Sequence, residues 1–127
     1  MKINQGYVDG FVIPVPKNKL ADYKKMAAVG AKLWMKHGAL QYVECVGEDL
    51  KSALKFKCVP FYTLAKAKSN EVVVFSFITY KSKAHRNSVN AKVMKDPAMA
   101  PEKWKDKTMP FDMKRMAVGG FKVLVNA

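Results

Sequence analysis

The chain has 127 residues, of which 50% are hydrophobic, and this size and composition fit one folded domain rather than a disordered chain. Lys and Arg total 23 against 10 Asp and Glu, which gives a net charge of +13. Polyanion binding is therefore one functional class to consider. The longest apolar run, residues 72–80, is too short to span a bilayer and no apolar leader follows Met1, so we expect a cytoplasmic protein that does not insert into a membrane.

The start of the chain predicts a strand followed by a helix. Residues 7–15 are rich in β-branched and aromatic side chains, which is typical of a strand. Asn18 is placed to cap a helix in which apolar residues recur at helical spacing as far as Trp34. Gly38 can adopt the positive φ that ends such a helix.

Two further strands are predicted in the middle of the chain. The first covers residues 39–46, and the second, which has the clearest pattern, covers residues 71–80. Between them, residues 50–70 are too many for a plain loop, and residues 61–68 are expected to form a short helix.

The last part of the chain predicts a second long helix and a fourth strand. Ser82 can cap the helix, which runs to about residue 95 and stops before Pro97, because the residue before a proline avoids the α region. The final strand covers residues 114–125. Gly119 and Gly120 within it predict a bulge or a close approach of another group to the backbone.

The order of these elements is β-α-β-β-α-β, which predicts a single α+β domain over residues 1–127. The fold expected is ferredoxin-like: a four-stranded antiparallel sheet with two helices on one face. Both faces of the predicted strands are apolar, and two helices can cover only one of them. We therefore expect a second copy to cover the other face in a homodimer. The alternative is that residues 50–70 or 97–112 fold over it.

Two carboxylates lie in otherwise apolar strands, where burial costs free energy unless the group is paired. Asp9 shares a strand face with Tyr7 and Phe11, and Glu44 shares one with Tyr42. Buried carboxylates can act as acids or bases. The alternatives are that Asp9 lies at a strand edge and that Glu44 pairs with a surface lysine or arginine.

The second helix carries further polar candidates, His85, Arg86 and Asn90. Arg86 and Asn90 are one turn apart, so they can line a pocket that holds an anion or a carbonyl group, or they can lie on the helix surface. Trp34 is expected in the core, and Trp104 either covers a pocket or forms a surface patch.

Several signals are missing from the sequence. It has no phosphate-binding glycine loop, no hydrolase nucleophile motif and no zinc ligands at usable spacing, so neither a metal site nor a cofactor is expected. Cys45 and Cys58 form no C-x-x-C motif and are expected to be ordinary small side chains.

The positive charge is dispersed along the chain rather than clustered. Lysines run from Lys2 to Lys122, whereas the arginines are just Arg86 and Arg115. Because arginine is the preferred bidentate reader of guanine and phosphate, we expect nucleic-acid binding to be weak and non-specific.

Four segments resemble the YbaA-like family, an uncharacterised bacterial family of the dimeric α/β-barrel superfamily. They are YVDGFVIPVPKNKL, HGALQYVECVGEDL, EVVVFSFITYKSKAHRNSVNAKVMKDP and MPFDMKRMAVGGFKVLV. The chain departs from the family pattern at Asn87 and Phe77. The resemblance implies a ferredoxin-like dimer whose two sheets form a barrel, and it implies no activity. Relatives in the superfamily include cofactor-independent monooxygenases, haem-degrading enzymes and stress-response proteins.

These observations predict a small-molecule-binding homodimer of unknown function, with a cofactor-independent enzyme such as a monooxygenase as one form it could take. The residues expected to line its pocket are Asp9, Glu44, His85, Arg86, Asn90 and Asp112. One alternative is a non-catalytic nucleic-acid or polyanion binder, whose tight binding at low salt would collapse as salt rises. The other is a structural or stress-related dimer without a ligand, whose barrel would be filled by Phe, Val and Met side chains and would hold no cavity.

Overall fold

The computed structural model describes residues 5–127, and its centre is an antiparallel sheet. The strands are β1 (Tyr7–Pro16), β2 (Gln41–Val46), β3 (Glu71–Tyr80) and β4 (Ala117–Lys122). They are ordered β2-β3-β1-β4 across the sheet, and every neighbouring pair is antiparallel.

Two long helices cover one face of this sheet. They are α1 (Leu20–Lys36), which joins β1 to β2, and α3 (Lys83–Lys95), which leads from β3 toward β4. Single helical turns form α2 (Phe61–Leu64) and α4 (Pro101–Trp104). The β-α-β-β-α-β order and the antiparallel sheet confirm the α+β, ferredoxin-like prediction. No helix within residues 5–127 is long and apolar enough to cross a membrane.

The ends of the long helices follow mostly from local chemistry. The Ser82 hydroxyl accepts a hydrogen bond of 3.1 Å from the His85 N–H, as predicted for an N-cap. Gly38 ends α1 with a φ of +108°. The prediction for Asn18 is wrong: it lies inside the 3-10 turn Lys17–Lys19, and α1 begins without a side-chain cap. The turn that follows β1 displaces the N-cap of the helix by one residue, from Asn18 to Lys19.

Other predicted boundaries also shift, for physical reasons. The strand expected from residue 39 begins at Gln41, because the Ala39 N–H still bonds to the Trp34 carbonyl. The helix expected over residues 61–68 stops at Leu64, since Lys66 has a left-handed φ of 53°. The strand expected over residues 114–125 is shortened to Ala117–Lys122 by a 3-10 turn at Met113–Arg115.

The core lies between the sheet and the two long helices. On β1 the odd-numbered residues face the helices, and on β3 the even-numbered residues do so, as the pairing of Ile13 with Val74 and of Asp9 with Ile78 requires. The buried apolar side chains form two clusters, one toward α3 and one toward α1. They are Leu33, Ala39, Ile78, Tyr80, Val89 and Val93, and Ile13, Val15, Tyr23, Ala27 and Val74.

The other side of the sheet, which we call the open face, is partly covered. In α2, the ring of Phe61 packs edge-on against Phe75, with 6.0 Å between ring centroids. Yet Phe75 keeps 43% of its surface exposed, and Phe121 of β4 keeps 60%. The segment between β2 and β3 therefore covers one part of the open face and leaves aromatic side chains in contact with solvent.

Candidate functional site

A cavity of about 380 Å³ lies between the helix-facing side of the sheet and α1. Its third wall is the connecting segment, residues 97–116, which joins α3 to β4. Most of its lining is apolar. The sheet and α1 contribute Phe11, Ile13, Met26, Gly30, Leu33, Trp34 and Ile78, the connecting segment contributes Met99, Trp104, Met109, Phe111 and Met116, and the polar lining is Tyr23, Tyr42, Glu44 and Ser76.

Glu44 is the centre of the polar lining. Residues two apart on a strand point to the same face, so Tyr42 and Glu44 of β2 project together toward α1. The Tyr23 hydroxyl of α1 donates a 2.7 Å hydrogen bond to Glu44 Oε1, and the Tyr42 hydroxyl donates a 3.0 Å bond to Oε2. Each carboxylate oxygen is thus held by a tyrosine.

Burial is the main cause that raises the pKa of both tyrosines, and the neighbouring Glu44 carboxylate raises each further. A hydrogen bond with Ser76 acts weakly in the opposite direction on Tyr23. Both hydroxyls therefore stay protonated at neutral pH and act as donors to Glu44. The cluster therefore consists of one carboxylate acceptor, Glu44, and two neutral hydroxyl donors, and it lies in an otherwise apolar cavity.

The connecting segment packs over the cavity with side chains from separate turns. The Trp104 indole N–H donates a 2.8 Å hydrogen bond to the Ala98 carbonyl, which fixes the ring within the segment. The Phe111 ring meets the Tyr23 ring edge-on, with 5.6 Å between centroids. Methionine side chains fill irregular space adaptably, so this wall can adjust to ligands of different shape.

Ion pairs hold both ends of the connecting segment. Before it, Asp96 Oδ2 lies 2.8 Å from His37 Nε2 and 3.0 Å from Lys36 Nζ. Hydrogen bonds from the Ala98 N–H, His37 and Lys36 hold the pKa of Asp96 well below its usual range. Near its other end, the Arg115 guanidinium donates bonds of 2.6 and 2.8 Å to Glu71.

A second polar cluster lies under α3. Asp9, on the central strand β1, is 8% exposed and accepts a 3.1 Å bond from Arg86 Nε. The Arg86 guanidinium also lies 5.0 Å from the centre of the Tyr7 ring. Burial, followed by the Asp9 charge, raises the pKa of Tyr80. The expected alternative of a strand-edge Asp9 is wrong, because β1 is paired on both sides.

The remaining three predicted residues lie in different parts of the structure. Asn90 Oδ1 accepts a 3.0 Å bond from the Trp34 indole, so it supports a wall of the cavity. His85 Nδ1 takes a 3.0 Å hydrogen bond from the Lys81 N–H beside the start of α3. Asp112 is exposed and caps a turn by accepting from the Lys114 N–H. Of the six predicted residues, Glu44 lines the cavity, and Asp9 and Arg86 pair elsewhere.

Sequence reasoning missed the two tyrosines that hold Glu44. Tyr42 could have been found, because it precedes Glu44 by two residues on one strand. Tyr23 had the pattern of a core residue in the apolar stripe of α1, and only the docking of α1 on β2 brings it to Glu44. The expected surface ion pair of Glu44 is wrong, since its partners here are tyrosine hydroxyls.

A groove of about 440 Å³ runs beside the cavity, along the edge strand β2. Tyr23, Tyr42 and Glu44 line both spaces and so form the wall between them. On the groove side they are joined by Lys24 and by Cys45, an exposed free thiol. The Glu44 cluster is therefore reached from solvent on one side and from the cavity on the other.

Comparison with known proteins adds a family assignment without an activity. Residues 6–113 match the model of a family described as a protein of unknown function (DUF1428). The chain is 45% identical over 120 residues to the "Uncharacterized protein YbaA" of Escherichia coli (strain K12), covering 94% of this chain and 97% of that protein. The protein of the same name from Shigella flexneri matches with the same identity and coverage.

Proposed function

Because the chain belongs to the DUF1428 family, whose function is unknown, we propose from its geometry that it binds a small, mainly apolar molecule in the cavity, with Glu44 as the acceptor for its polar end. The observation that carries this proposal is a carboxylate held by two tyrosine hydroxyls in an otherwise apolar cavity.

The lining has the composition typical of small-molecule sites. Such sites are mostly hydrophobic and aromatic, with a few placed polar groups that orient the ligand. A volume of about 380 Å³ lies within their usual range. A carboxylate offers about four acceptor positions. The tyrosines occupy two of them, which leaves capacity for a donor on the ligand.

Glu44 is also the residue best placed for chemistry. A carboxylate beside a bound molecule can accept a proton from it, and proton transfer of this kind requires no cofactor. The superfamily that the sequence resembles includes cofactor-independent monooxygenases, so hydroxylated aromatic compounds are the first class to test for turnover. In this proposal Asp9 and Arg86 support the fold through their ion pair rather than contacting the ligand.

We further propose that the protein works as a homodimer joined through the open face. Exposed aromatic residues on a sheet favour a partner surface, and Phe75 and Phe121 supply them here. A second copy is the occupant we propose because its own open face is equally apolar and lacks a covering helix pair. The cavity lies on the opposite side of the sheet and would stay accessible.

Polyanion binding is supported less well by the structure. Arginine is the side chain suited to bidentate phosphate contact. Arg86 is paired with Asp9 and Arg115 with Glu71, so both guanidinium groups already have carboxylate partners. Dispersed lysines remain, and these favour weak contact that salt screens.

The function is tested with ethylbenzene and 2-phenylethanol, which differ by one hydroxyl group. We expect both to bind and the alcohol to bind about fivefold tighter, because one added hydrogen bond contributes about 1 kcal/mol. Equilibrium dialysis of the full-length chain measures both affinities. In Glu44→Gln the advantage of the alcohol should shrink.

The matched control is Glu48→Gln, which removes an exposed carboxylate from the turn after β2. It should leave both affinities unchanged. Failure of both compounds to bind would contradict a ligand-binding cavity. Equal binding of the two would show instead that Glu44 does not contact the ligand.

A further inference from the structure

Taking the proposed cavity function as its basis, we infer that the ligand carries a protonated amine, and that Glu44 pairs with this cation among the aromatic rings of the cavity. The ligand class is a small aromatic or aliphatic ammonium compound, which the charge of the lining, the partners of Glu44 and the neighbouring rings all favour.

Glu44, which is half-buried, differs from the carboxylates of Asp9, Glu71 and Asp96, whose side chains are buried. Asp9 pairs with Arg86, Glu71 with Arg115, and Asp96 with lysine and histidine. Glu44 has hydrogen-bond partners that are neutral hydroxyls, and no ion pair joins it to a cation of the described part of the chain. Its negative charge therefore receives hydrogen bonds but is not neutralised by a positively charged side chain within residues 5–127.

The cavity lining supplies no compensating cation either. Among the described residues that line it, Glu44 is the one that carries a formal charge. A carboxylate in apolar surroundings is costly unless it is paired and hydrogen-bonded. A ligand ammonium group would provide both the opposite charge and several N–H donors. A ligand carboxylate or phosphate would instead be repelled.

The aromatic lining favours the same class of ligand. The rings of Trp34 and Tyr42 lie 6.3 Å apart and tilted by 49°, and Tyr42 itself holds Glu44. Phe11 and Trp104 line the same space. The faces of such rings attract cations, most strongly where water is excluded. An ammonium group beside Glu44 would gain this attraction in addition to the ion pair.

The lysine-rich surface does not cancel this local preference. Exposed charges are screened over a Debye length of about 8–10 Å in physiological salt. Lys24 is the cation that lines the neighbouring groove, on the far side of the wall formed by Tyr23, Glu44 and Tyr42, and it is exposed. Its replacement by glutamine should leave ammonium binding unchanged or strengthen it.

The test compares three probes of similar size: phenethylamine, 2-phenylethanol and 3-phenylpropanoate. At neutral pH they carry an ammonium, a neutral hydroxyl and a carboxylate. We expect phenethylamine to bind the wild-type chain about tenfold tighter than the alcohol, since charge-assisted hydrogen bonds are about twice as strong as neutral ones. Of the three probes, 3-phenylpropanoate should bind most weakly, because its carboxylate is repelled by Glu44. Equilibrium dialysis at fixed ionic strength measures this ranking.

Variants show whether the preference comes from Glu44. In Glu44→Gln, phenethylamine should lose its tenfold advantage while the alcohol weakens less, and Glu48→Gln should behave like the wild type. The wild-type ranking decides the question even if Glu44→Gln folds poorly. If the alcohol binds as tightly as the amine, the ammonium inference is overturned, but the proposed ligand-binding function is not. If none of the neutral or cationic probes binds, the proposed function itself fails.

Discussion

At the scale of single residues, Gly120 shows how a polar cluster constrains the sheet. It lies on β4 directly opposite Asp9, on the side of the sheet that faces α3. The space where a Cβ would stand is occupied by the Arg86 guanidinium and the Tyr7 hydroxyl. The pairing register continues through Gly119 and Gly120, so these glycines do not form a bulge. They allow other groups to approach the backbone closely.

We expect Gly120→Ala to destabilise the protein by about 2 kcal/mol. The added methyl group must displace Arg86 or Tyr7, and overpacking of this kind costs about 1–3 kcal/mol. Urea denaturation followed by far-ultraviolet circular dichroism measures the free energy of unfolding.

The neighbouring glycine provides the matched control for this prediction. A Cβ at Gly119 would meet the Phe121 ring at 3.5 Å, which is an ordinary contact. Gly119→Ala should therefore change the free energy of unfolding by less than about 0.5 kcal/mol. An equal loss in both variants would mean that general β-strand effects, rather than Arg86 and Tyr7, set the cost.

At the scale of elements, the connecting segment depends on its two ends. Between the ion pairs of Asp96 and Arg115, few long-range hydrogen bonds are seen among the described residues, and Trp104 bonds within the segment itself. Apolar contacts to α1 hold its middle. Loosening either end should therefore affect the cavity wall more than the sheet.

The Arg115 pair makes stability depend on pH. Its hydrogen bonds lower the pKa of Glu71 to about 2 from an ordinary value of 4.5. A carboxyl with a lowered folded-state pKa stabilises the protein above its unfolded-state pKa, and this contribution is lost as pH falls. The loss should run from about pH 4.5 down to about pH 2. We expect Arg115→Gln to be less stable than the wild type at neutral pH and to flatten the dependence of stability on pH across this window.

Lys114→Gln, which changes an exposed neighbour, is the control and should keep the wild-type pH profile. Thermal unfolding between pH 2 and pH 7 compares the variants. An Arg115→Gln curve parallel to the wild-type curve over the acid range would show that Glu71 does not titrate through this pair.

At the scale of the whole molecule, the proposed homodimer depends on the open face. The turn α2 covers one part of it, and β4 presents Phe121 with 60% of its surface exposed. Leu124 and Val125, which follow β4, are also exposed. An apolar sheet surface of this kind favours association between identical copies.

We expect sedimentation to give about twice the monomer mass of 14.3 kDa, with little change between low and high salt. Apolar association is insensitive to screening, whereas contact through charge weakens as salt rises. Phe121→Glu should shift the equilibrium to monomer, because dimerisation would then bury an unpaired carboxylate.

Met94→Glu changes a similarly exposed apolar residue on α3, away from the open face, and should leave the dimer intact. A wild-type chain that stays monomeric over a dilution series would remove the barrel-type dimer from the proposal. It would leave the cavity, which lies within one chain, unaffected.

The fold was largely predictable because it depends on patterns that repeat locally. The bounds of β3, the cap of α3 at Ser82 and the end of α1 at Gly38 all follow from short-range chemistry. The start of α1 was not predictable to the residue. Asn18 has the right side chain for a cap, yet the geometry of the turn after β1 sets where helical hydrogen bonding begins.

The candidate site was predictable only in part. Asp9 and Glu44 had the same pattern, a carboxylate in an apolar strand, and the sequence could not distinguish their roles. Packing assigns Arg86 to Asp9 and two tyrosines to Glu44. His85 and Asp112 have local backbone contacts, which their neighbours along the chain allow but do not dictate.

The amino-acid sequence thus determined the order of strands and helices and the apolar character of both sheet faces, because hydrophobic period and turn residues act over a few positions. Tertiary structure alone decided that Tyr23 meets Glu44 and that the connecting segment forms a wall of the cavity. The physical reason is that these contacts join residues distant along the chain, whose meeting depends on how α1 docks on the sheet.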